Sequence, residues 1–442
     1  MRAFLAANFL YFPVTRIAGE RVRHYLQEYQ ANDALSPEAL RDKQDAALNR
    51  IVRHAQASTA HYAQSVTNRS PAWFSEWPGL DGLEPMQKSW LREYPERFIS
   101  SNAPGRHEHK TTSGSTGHPI TVVKNRDALA RERAATWRAY GWAGIPVAAP
   151  QALLWGFPHS AKGRIRARLF DFLANRKRLS MFGVREEDLV RFHGDLLRFR
   201  PYYLYGYVSA IAEFIRFLDT TRQSLPTSVR CLVTTAELLD AGTRRLLEEK
   251  TGLRVFNEYG CGEVGSIAHE CEQGRLHVMS DNLVLECLTD QGLPAGLGEL
   301  AVTDLHNTAM PLVRYRLGDL GRLSDEPCPC GRPHPVLERI VGRAYDMLVG
   351  LSGRKYHPEA LLYVFEDLRN AGVALPPFQA VQKADGGLTI SFEAKTDDHQ
   401  GLINQLHARL EDAFSGDLQF HFSRIEKLRR EPSGKLRIVR RL

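Results

Sequence analysis

Residues 230–263 read RCLVTTAELLDAGTRRLLEEKTGLRVFNEYGCGE, and this stretch decides the fold class. An apolar run at Arg230–Thr235 is followed by a helix predicted over Ala241–Thr251 and by a second apolar run at Leu253–Phe256. A strand, a helix and a strand in this order indicate a parallel α/β layer. The polar residues Asn257–Glu263 then follow the second strand at its carboxyl end, where open α/β sheets bind ligands.

Outward from this stretch, the pattern of the chain changes on both sides. Residues 16–65 are predicted to be helical, with Ser36 as an N-cap before Pro37. After residue 280, short apolar runs between Gly and Pro turns predict strands, and the last ~100 residues alternate helix and strand as small α+β domains do. The predicted elements of these regions are strands at Leu283–Leu288, Gly298–Thr303, Leu312–Leu317, Leu388–Glu393 and Leu418–Phe422, and helices at Pro358–Ala371 and Asp397–Phe414.

The fold class predicted from these patterns is α/β. We expect a large N-terminal domain over residues 1–341 with parallel sheet layers, and a small, mobile α+β domain over residues 345–442. With 43% hydrophobic and 25% charged residues, a chain of 442 residues can bury a large core without disulfides.

The charge and the hydropathy of the chain narrow the function classes. The net charge of +7 is small for this length, and it favours anionic small molecules or a nucleic-acid surface without choosing between them. No run of about 18 apolar residues is present, so we expect no membrane span. Residues 1–14 lack a small-residue cleavage site, which predicts an amphipathic helix and a cytoplasmic protein.

Four further motifs accompany Asn257–Glu263. The loop at Thr111–Pro119, TTSGSTGHP, has small residues whose backbone N–H groups and hydroxyls can donate to a polyphosphate, although it lacks the Gly-Lys-Ser/Thr of a Walker loop. Asp319 follows a Gly turn in YRLGD, and Lys435 ends EPSGK, where a mobile Gly loop can present its charge to an oxyanion. The last motif is Val341–Leu348. Each motif taken singly is also compatible with an ordinary linker or turn.

In this order and spacing, the five motifs resemble the adenylate-forming superfamily of acyl-CoA synthetases, adenylation domains and luciferases. The resemblance runs from about residue 106 to 442, and it is strongest to the phenylacetate–CoA ligase-like branch, which includes proteins of capsule-type gene clusters. That branch lacks the Lys that follows Pro in many phosphate loops of the superfamily, and Ile120 stands at this position here.

The resemblance implies a role for each matching residue. It assigns the β- and γ-phosphates of ATP to the loop residues Thr112, Ser113, Gly114, Ser115, Thr116 and Gly117. It assigns the adenine pocket to Ala236, Glu237, Asn257, Glu258, Tyr259 and Gly260, with Tyr259 against the base. It assigns Mg²⁺ to Glu263, the ribose hydroxyls to Asp319 with Arg343, and the substrate carboxylate and α-phosphate to Lys435. The superfamily usually has Asp or Lys at the hinge between its domains, whereas this chain has Tyr345 there.

The reaction implied by the resemblance is ATP-dependent activation of a carboxylic acid as an acyl-adenylate, followed by transfer to a thiol, most often that of coenzyme A. Alternative acceptors are a carrier protein, an amine or a sugar. A second alternative is a non-catalytic protein that binds nucleic acid or a membrane surface through its basic tail. Glu263, Asp319 and Lys435 argue against it, so we expect no nucleic-acid partner. The aromatic residues Trp137, Tyr140, Trp142, Trp155 and Phe157 suggest an aromatic or bulky apolar acid, but they are equally compatible with a core.

A separate set of residues has the composition of a metal site. Cys271 and His277 lie six residues apart, and Cys328 and Cys330 follow about fifty residues later in a Cys-Pro-Cys-Gly turn. Two ligands from each of two turns suit a closed tetrahedral zinc site, and similar members of the branch carry structural zinc there. His269 and His334 are spare candidates. The alternative is three buried cysteines with surface histidines.

Overall fold

A computed structural model describes residues 2–65, 77–80, 82–103, 106–111, 120–155, 171–172, 174–180, 185–289, 296–343, 348–353, 355–356, 361, 364–365, 368, 373–383, 386–393, 400–429 and 438–441. The helices of this part of the chain are α1 (Arg2–Leu5), a π-helix (Ala6–Tyr11), α2 (Phe12–Ile17), α3 (Val22–Asn32), α4 (Pro37–Ser58), α5 (Ala60–Ser65), α6 (Lys88–Glu93), α7 (Arg126–Trp142), α8 (Glu186–Phe199), α9 (Val208–Thr220), α10 (Ala241–Thr251) and α11 (Gln400–Phe414), with 3-10 turns at Pro78–Leu80 and Pro95–Phe98.

The strands of the described residues run from the first third of the chain to its last residues. They are β1 (His107–Thr111), β2 (Thr121–Asn125), β3 (Gln151–Trp155), β4 (Arg176–Ser180), β5 (Tyr203–Tyr207), β6 (Cys231–Thr235), β7 (Arg254–Cys261), β8 (Gly265–Glu270), β9 (Leu276–Val278), β10 (Leu283–Leu288), β11 (Gly298–Asp304), β12 (Tyr315–Leu323), β13 (Val336–Arg343), β14 (Leu348–Val349), β15 (Lys355–Tyr356), β16 (Phe378–Gln382), β17 (Leu388–Glu393), β18 (Phe420–Ile425) and β19 (Val439–Arg441).

The main sheet has eleven strands in the order β10-β11-β12-β13-β9-β8-β7-β6-β5-β3-β4. The strands from β4 to β7 run parallel, whereas those from β7 to β10 are antiparallel. The parallel α/β layer and the α/β fold class are thus confirmed. Strand β7 joins the two halves, so the polar residues at its carboxyl end lie at the junction of the sheet.

Local sequence explains why these elements form. The Ser36 side chain accepts a hydrogen bond from the backbone N–H of Ala39, and Pro37 opens α4 as expected of a helix start. Strand β6 is buried at every position, as a central parallel strand should be. The strand predicted to begin at Leu312 begins only at Tyr315, because Arg314 has a left-handed backbone (φ 51°) that a strand does not accommodate.

The C-terminal part forms a second sheet in the order β18-β17-β16-β19. Helix α11 covers it, and the two bury a separate core that includes Phe378, Ile390, Leu410 and Phe414. The helix predicted over 358–371 lies mostly outside the described residues, and so do residues 344–347 at the predicted domain boundary, which stays a prediction. Among the described residues, no helix combines the length and apolarity needed to cross a membrane.

Candidate functional site

Three of the predicted site elements fall where the structure gives no description. The phosphate loop Thr112–Gly117, the hinge residue Tyr345 and Lys435 lie outside the described residues, and only the backbone of Arg343 is described. The strands that flank the loop are described: β1 and β2 form an antiparallel hairpin in which His107 lies opposite Asn125 and Thr111 opposite Thr121. The roles of the loop residues, Tyr345 and Lys435 therefore stay predictions.

This hairpin is held by a partly buried carboxylate that the sequence analysis missed. Glu132 on α7 accepts hydrogen bonds from Lys110 Nζ of β1 at 2.7 Å and from Lys124 Nζ of β2 at 2.9 Å. Burial alone would raise the pKa of Glu132, but the two lysines lower it to about 2. Glu132 also lies against Gly265, where φ is +91° and an added Cβ would come within 2.5 Å of its side chain. It thus contacts both the hairpin and the turn between β7 and β8.

Replacing this carboxylate has an expected outcome. Glu132→Gln should lower the free energy of unfolding by about 3–5 kcal/mol, because Lys124 stays buried without its nearest anionic partner. If the loop between β1 and β2 binds ATP as predicted, the KM for ATP should also rise, since the hairpin loses its anchor. Chemical denaturation and steady-state kinetics measure the two effects. The matched control is Glu338→Gln, which removes an exposed pair with Arg322 and should change stability by less than about 1 kcal/mol. Equal effects of the two substitutions would contradict the anchoring role.

Glu263 lies in the turn after β7, where its carboxylate is buried and ionised. Lys88 Nζ lies 3.0 Å from Oε1, and the hydroxyl of Tyr315 donates to the same oxygen at 3.0 Å. Burial opposes ionisation, but the pKa of Glu263 is lowered because Lys88 and Tyr315 stabilise its charge. Lys88 begins α6 in the region before residue 106, and a lone Lys in a sequence carries no signal for such a role.

Two side-chain hydrogen bonds join β7 and the turn that follows it, which we call the β7 segment, to β12. The hydroxyl of Tyr259 donates to Asp319 Oδ2 at 2.8 Å, and the second bond is that of Tyr315 to Glu263. The register of β12 and β13 also places Arg343 directly opposite Asp319. The structure therefore brings together the residues predicted for the base, the ribose and the metal, although they are far apart in sequence.

The other residues predicted for the adenine pocket already have structural partners. Asn257 accepts a hydrogen bond from the Thr234 hydroxyl at 3.1 Å. The carboxylate of Glu237 accepts from the backbone N–H of Ser209 at 2.7 Å and from its hydroxyl at 2.9 Å, so it caps the start of α9. At Gly260, an added Cβ would lie 2.5 Å from the Gly265 carbonyl oxygen, which explains the glycine.

Glu258 faces away from its neighbour Tyr259, since successive side chains of a strand point to opposite faces. Its carboxyl accepts a hydrogen bond from Tyr140 of α7 at 3.2 Å. Burial raises the pKa of Glu258 to about 7 even though Tyr140 and Tyr205 hydrogen-bond to it. Its position on the α7 face separates it from the Tyr259–Asp319 pair.

The four predicted metal ligands form one cluster. The ligand atoms of Cys271, His277, Cys328 and Cys330 all lie within 4.8 Å of one another. The sulfur atoms of Cys271 and Cys328 are 3.7 Å apart, and Cys330 Sγ is 3.2 Å from His277 Nε2. Thiolates bound tetrahedrally at about 2.3 Å from one ion lie roughly 3.8 Å apart, so the arrangement suits zinc.

The orientation of His277 also fits a metal ligand. Its Nδ1 donates to the backbone carbonyl of His334 at 2.9 Å, which leaves Nε2 facing the sulfur atoms. Burial lowers the pKa of His277 to about 4, so the ring is neutral. The spare candidates His269 and His334 lie outside the cluster, and His334 instead bonds to Ser280 and lies 3.0 Å from Asp33.

Known proteins similar to this chain include two bacterial relatives. Over 194 residues it is 32% identical to phenylacetate–coenzyme A ligase of Thermus thermophilus, a stretch that spans 41% of this chain and 42% of that ligase. Over 271 residues it is 26% identical to protein CapK of Staphylococcus aureus, spanning 60% of this chain and 58% of CapK. The matches therefore cover less than two thirds of either relative. No protein-family model matches the chain.

The fold is also similar to that of a solved ligase. The crystal structure of 2-hydroxyisobutyryl-CoA ligase, in the postadenylation state in complex with R3-HIB-AMP, matches with a TM-score of 0.68 at 17% identity, covering 90% of this chain and 88% of that chain. The chain shares the fold of this ligase. The shared fold and the sequence similarity to phenylacetate–coenzyme A ligase and CapK confirm the resemblance that the motifs predicted.

Proposed function

We propose that the protein activates a carboxylic acid with ATP as an acyl-adenylate and then transfers the acyl group to the thiol of coenzyme A. The observation that carries this proposal is the pair of bonds between the β7 segment and β12, Tyr259 to Asp319 and Tyr315 to Glu263, at the carboxyl end of a parallel strand. The similarity to named coenzyme A ligases supports the choice of acceptor.

The residues of the site divide into those that orient the nucleotide and those that neutralise charge. In the first step, a carboxylate oxygen of the acid bonds to the α-phosphorus and pyrophosphate leaves, a reaction that needs alignment and charge neutralisation more than a protein base. Tyr259 would lie against the base and Asp319 would accept the ribose hydroxyls. Lys435 would meet the charge that develops on the α-phosphate. In the second step, the thiol sulfur bonds to the acyl carbon and AMP leaves.

Glu263 fits the Mg²⁺ that accompanies ATP. It is a buried, ionised carboxylate, and magnesium in nucleotide sites needs only one or two protein carboxylates besides phosphate oxygens and water. Lys88 and Tyr315 both contact Oε1 of this carboxylate. We propose that Glu263 would hold the ion, which when bound neutralises charge on the phosphates. Lys88 keeps the carboxylate ionised and balances its charge.

We also propose that the Cys271, His277, Cys328 and Cys330 cluster binds zinc with a structural role. Four protein ligands complete a tetrahedral coordination shell and leave no open position for a substrate. The cluster links the turn between β8 and β9 to the connection between β12 and β13, so a bound ion would stabilise the antiparallel half of the sheet that carries Asp319.

The function is tested by acid-dependent exchange of labelled pyrophosphate into ATP over a panel of carboxylic acids. We expect exchange with at least one acid and a coenzyme A thioester as the product. Glu263→Gln should lower the exchange rate by roughly 10²-fold or more, because one charged group at the phosphates is lost. The control is Glu299→Gln, which removes the β11 partner of Arg316 without a contact to Glu263 and should leave exchange nearly unchanged.

Two outcomes would contradict parts of this proposal. Exchange without a thioester product would support a carrier protein, amine or sugar as the acceptor instead of coenzyme A. Wild-type exchange by Glu263→Gln would remove Glu263 from the mechanism.

A further inference from the structure

A group of buried polar side chains lies on the α7 face of the sheet, opposite to the Tyr259–Asp319 pair. We call Tyr140, Glu258 and His269 the buried polar group; they are 5%, 9% and 0% exposed. Tyr140 donates to Glu258 Oε2 at 3.2 Å, and its ring centroid lies 5.5 Å from that of His269. Glu258 of β7 and His269 of β8 are direct partners in the register of the two strands. Three hydrogen-bonding side chains therefore converge in one buried place.

The imidazole of His269 has one nitrogen that the described protein does not satisfy. Its Nδ1 lies 2.8 Å from the Glu270 carbonyl oxygen, so this nitrogen carries the proton and donates. Nε2 is then an acceptor, and it is fully buried with no hydrogen-bond partner among the described residues. Burial lowers the pKa of His269 to about 4, so the ring stays neutral near pH 7. A buried acceptor without a donor destabilises the protein, and a ligand with an O–H group would satisfy it.

The buried polar group lies close to the place where the substrate acid is expected to bind. Glu258 directly precedes Tyr259, and the parallel strands β5 and β6 end at the level of Glu258 in the sheet. Ligands of open α/β sheets bind outside the carboxyl ends of such strands. With the nucleotide at Tyr259 and Asp319 on one face of β7, as proposed, the α7 face is left for the rest of the acyl-adenylate. On that face, the ring of Tyr205 contacts those of Tyr140 and Trp155.

We propose that the buried polar group binds a hydroxyl group of the substrate, so that the enzyme activates a hydroxylated carboxylic acid. The hydroxyl would donate to His269 Nε2 and lie beside the Glu258 carboxyl and the Tyr140 hydroxyl. This inference rests on the proposed function and refines the acid class. It differs from the bulky apolar acid that the aromatic residues suggest, because an apolar substituent would leave the buried Nε2 of His269 without a hydrogen-bond partner.

The test compares matched pairs of acids that differ only in one hydroxyl, such as phenylacetate with its ring-hydroxylated forms and butyrate with its hydroxybutyrates. For at least one pair, kcat/KM in pyrophosphate exchange should be at least about 10²-fold higher for the hydroxylated acid, because sites built to bind a hydroxyl strongly reject the analogue that lacks it. His269→Phe and Glu258→Gln should each lower this ratio by about tenfold or more.

The control variant is Tyr203→Phe. Tyr203 lies next to Tyr140 in the same aromatic layer, with ring centroids 5.7 Å apart, but its hydroxyl accepts a hydrogen bond from Gln151 Nε2 at 2.8 Å, away from Glu258. The ratio of the two kcat/KM values should be unchanged in this variant. The preference itself is measured on the wild-type enzyme, so this part of the test does not depend on whether any variant folds.

Each remaining outcome overturns a stated claim. Exchange that is equally efficient with both members of every pair would overturn this inference and leave the proposed function intact. A wild-type preference that persists in both His269→Phe and Glu258→Gln would also overturn it. No exchange with any acid would overturn the proposed function itself, and this inference with it.

Discussion

Protein purified without a metal-affinity tag is expected to contain close to one zinc ion per chain, and Cys328→Ser should remove it. Structural zinc contributes apparent binding free energies of about 10–16 kcal/mol in small domains, so losing even part of this should lower the midpoint of thermal unfolding by more than ~10 °C. Burial raises the pKa of Cys328 to about 12 in the metal-free state. Zinc must therefore displace a thiol proton, and its affinity should fall as the pH falls.

Elemental analysis and thermal unfolding followed by circular dichroism measure the two effects. The matched control is Cys287→Ser, because Cys287 is only partly buried and its thiol donates to the Gly321 carbonyl oxygen at 3.1 Å, outside the cluster. The control should keep its zinc and its unfolding midpoint. A metal-free wild type whose midpoint does not change on Cys328→Ser would refute the zinc site.

Lys435→Ala is expected to slow adenylation by roughly 10² to 10³-fold, which corresponds to about 3–4 kcal/mol of lost transition-state stabilisation. This prediction comes from the Gly loop of the sequence, since Lys435 lies outside the described residues. If the C-terminal part alternates between two positions, Lys435 is at the site only during adenylation. The second step, started from supplied acyl-adenylate and coenzyme A, should then be far less affected.

Two further variants serve as comparisons for Lys435→Ala. Asp319→Asn should impair both steps, because the nucleotide is bound in each of them. Lys427→Ala removes a Lys of the same C-terminal part, which pairs with Glu213 at the surface, and it should leave adenylation nearly unchanged. Equal loss in both steps from Lys435→Ala would argue against alternation of the C-terminal part.

Elements with strong local signals could be predicted from the sequence. Helix α10 has the predicted bounds, and β17 and β10 were predicted at their exact residues. The order of the strands in the main sheet could not be predicted, because β13 pairs with β9 across about sixty residues and no local pattern encodes that pairing. The predicted start of β12 was wrong by three residues, since no local pattern indicates the left-handed backbone of Arg314, whose side chain forms a buried ion pair with Glu286.

The residues of the candidate site likewise divide into those that local sequence predicts and those that depend on tertiary packing. The cysteine cluster could be predicted because ligand type and spacing are themselves the signal. Glu132 could not, because in the charged stretch RDALARERAATW it has the pattern of a solvated helix face. Its ion pairs with Lys110 and Lys124 join residues of α7 to the β1–β2 hairpin and depend on how these elements pack together. The hydrogen bonds of Glu258 likewise follow from tertiary packing.

The cysteine cluster has a consequence for the timing of biosynthesis. Its first and third members, Cys271 and Cys328, are 57 residues apart in the chain. At translation rates of about 5–20 residues per second, roughly 3–11 s pass between the synthesis of one and that of the other. During this interval the nascent chain presents Cys271 and His277 as half of a site. The thiol of Cys271 is then exposed to cellular oxidants and competing ions before Cys328 and Cys330 exist to enclose it.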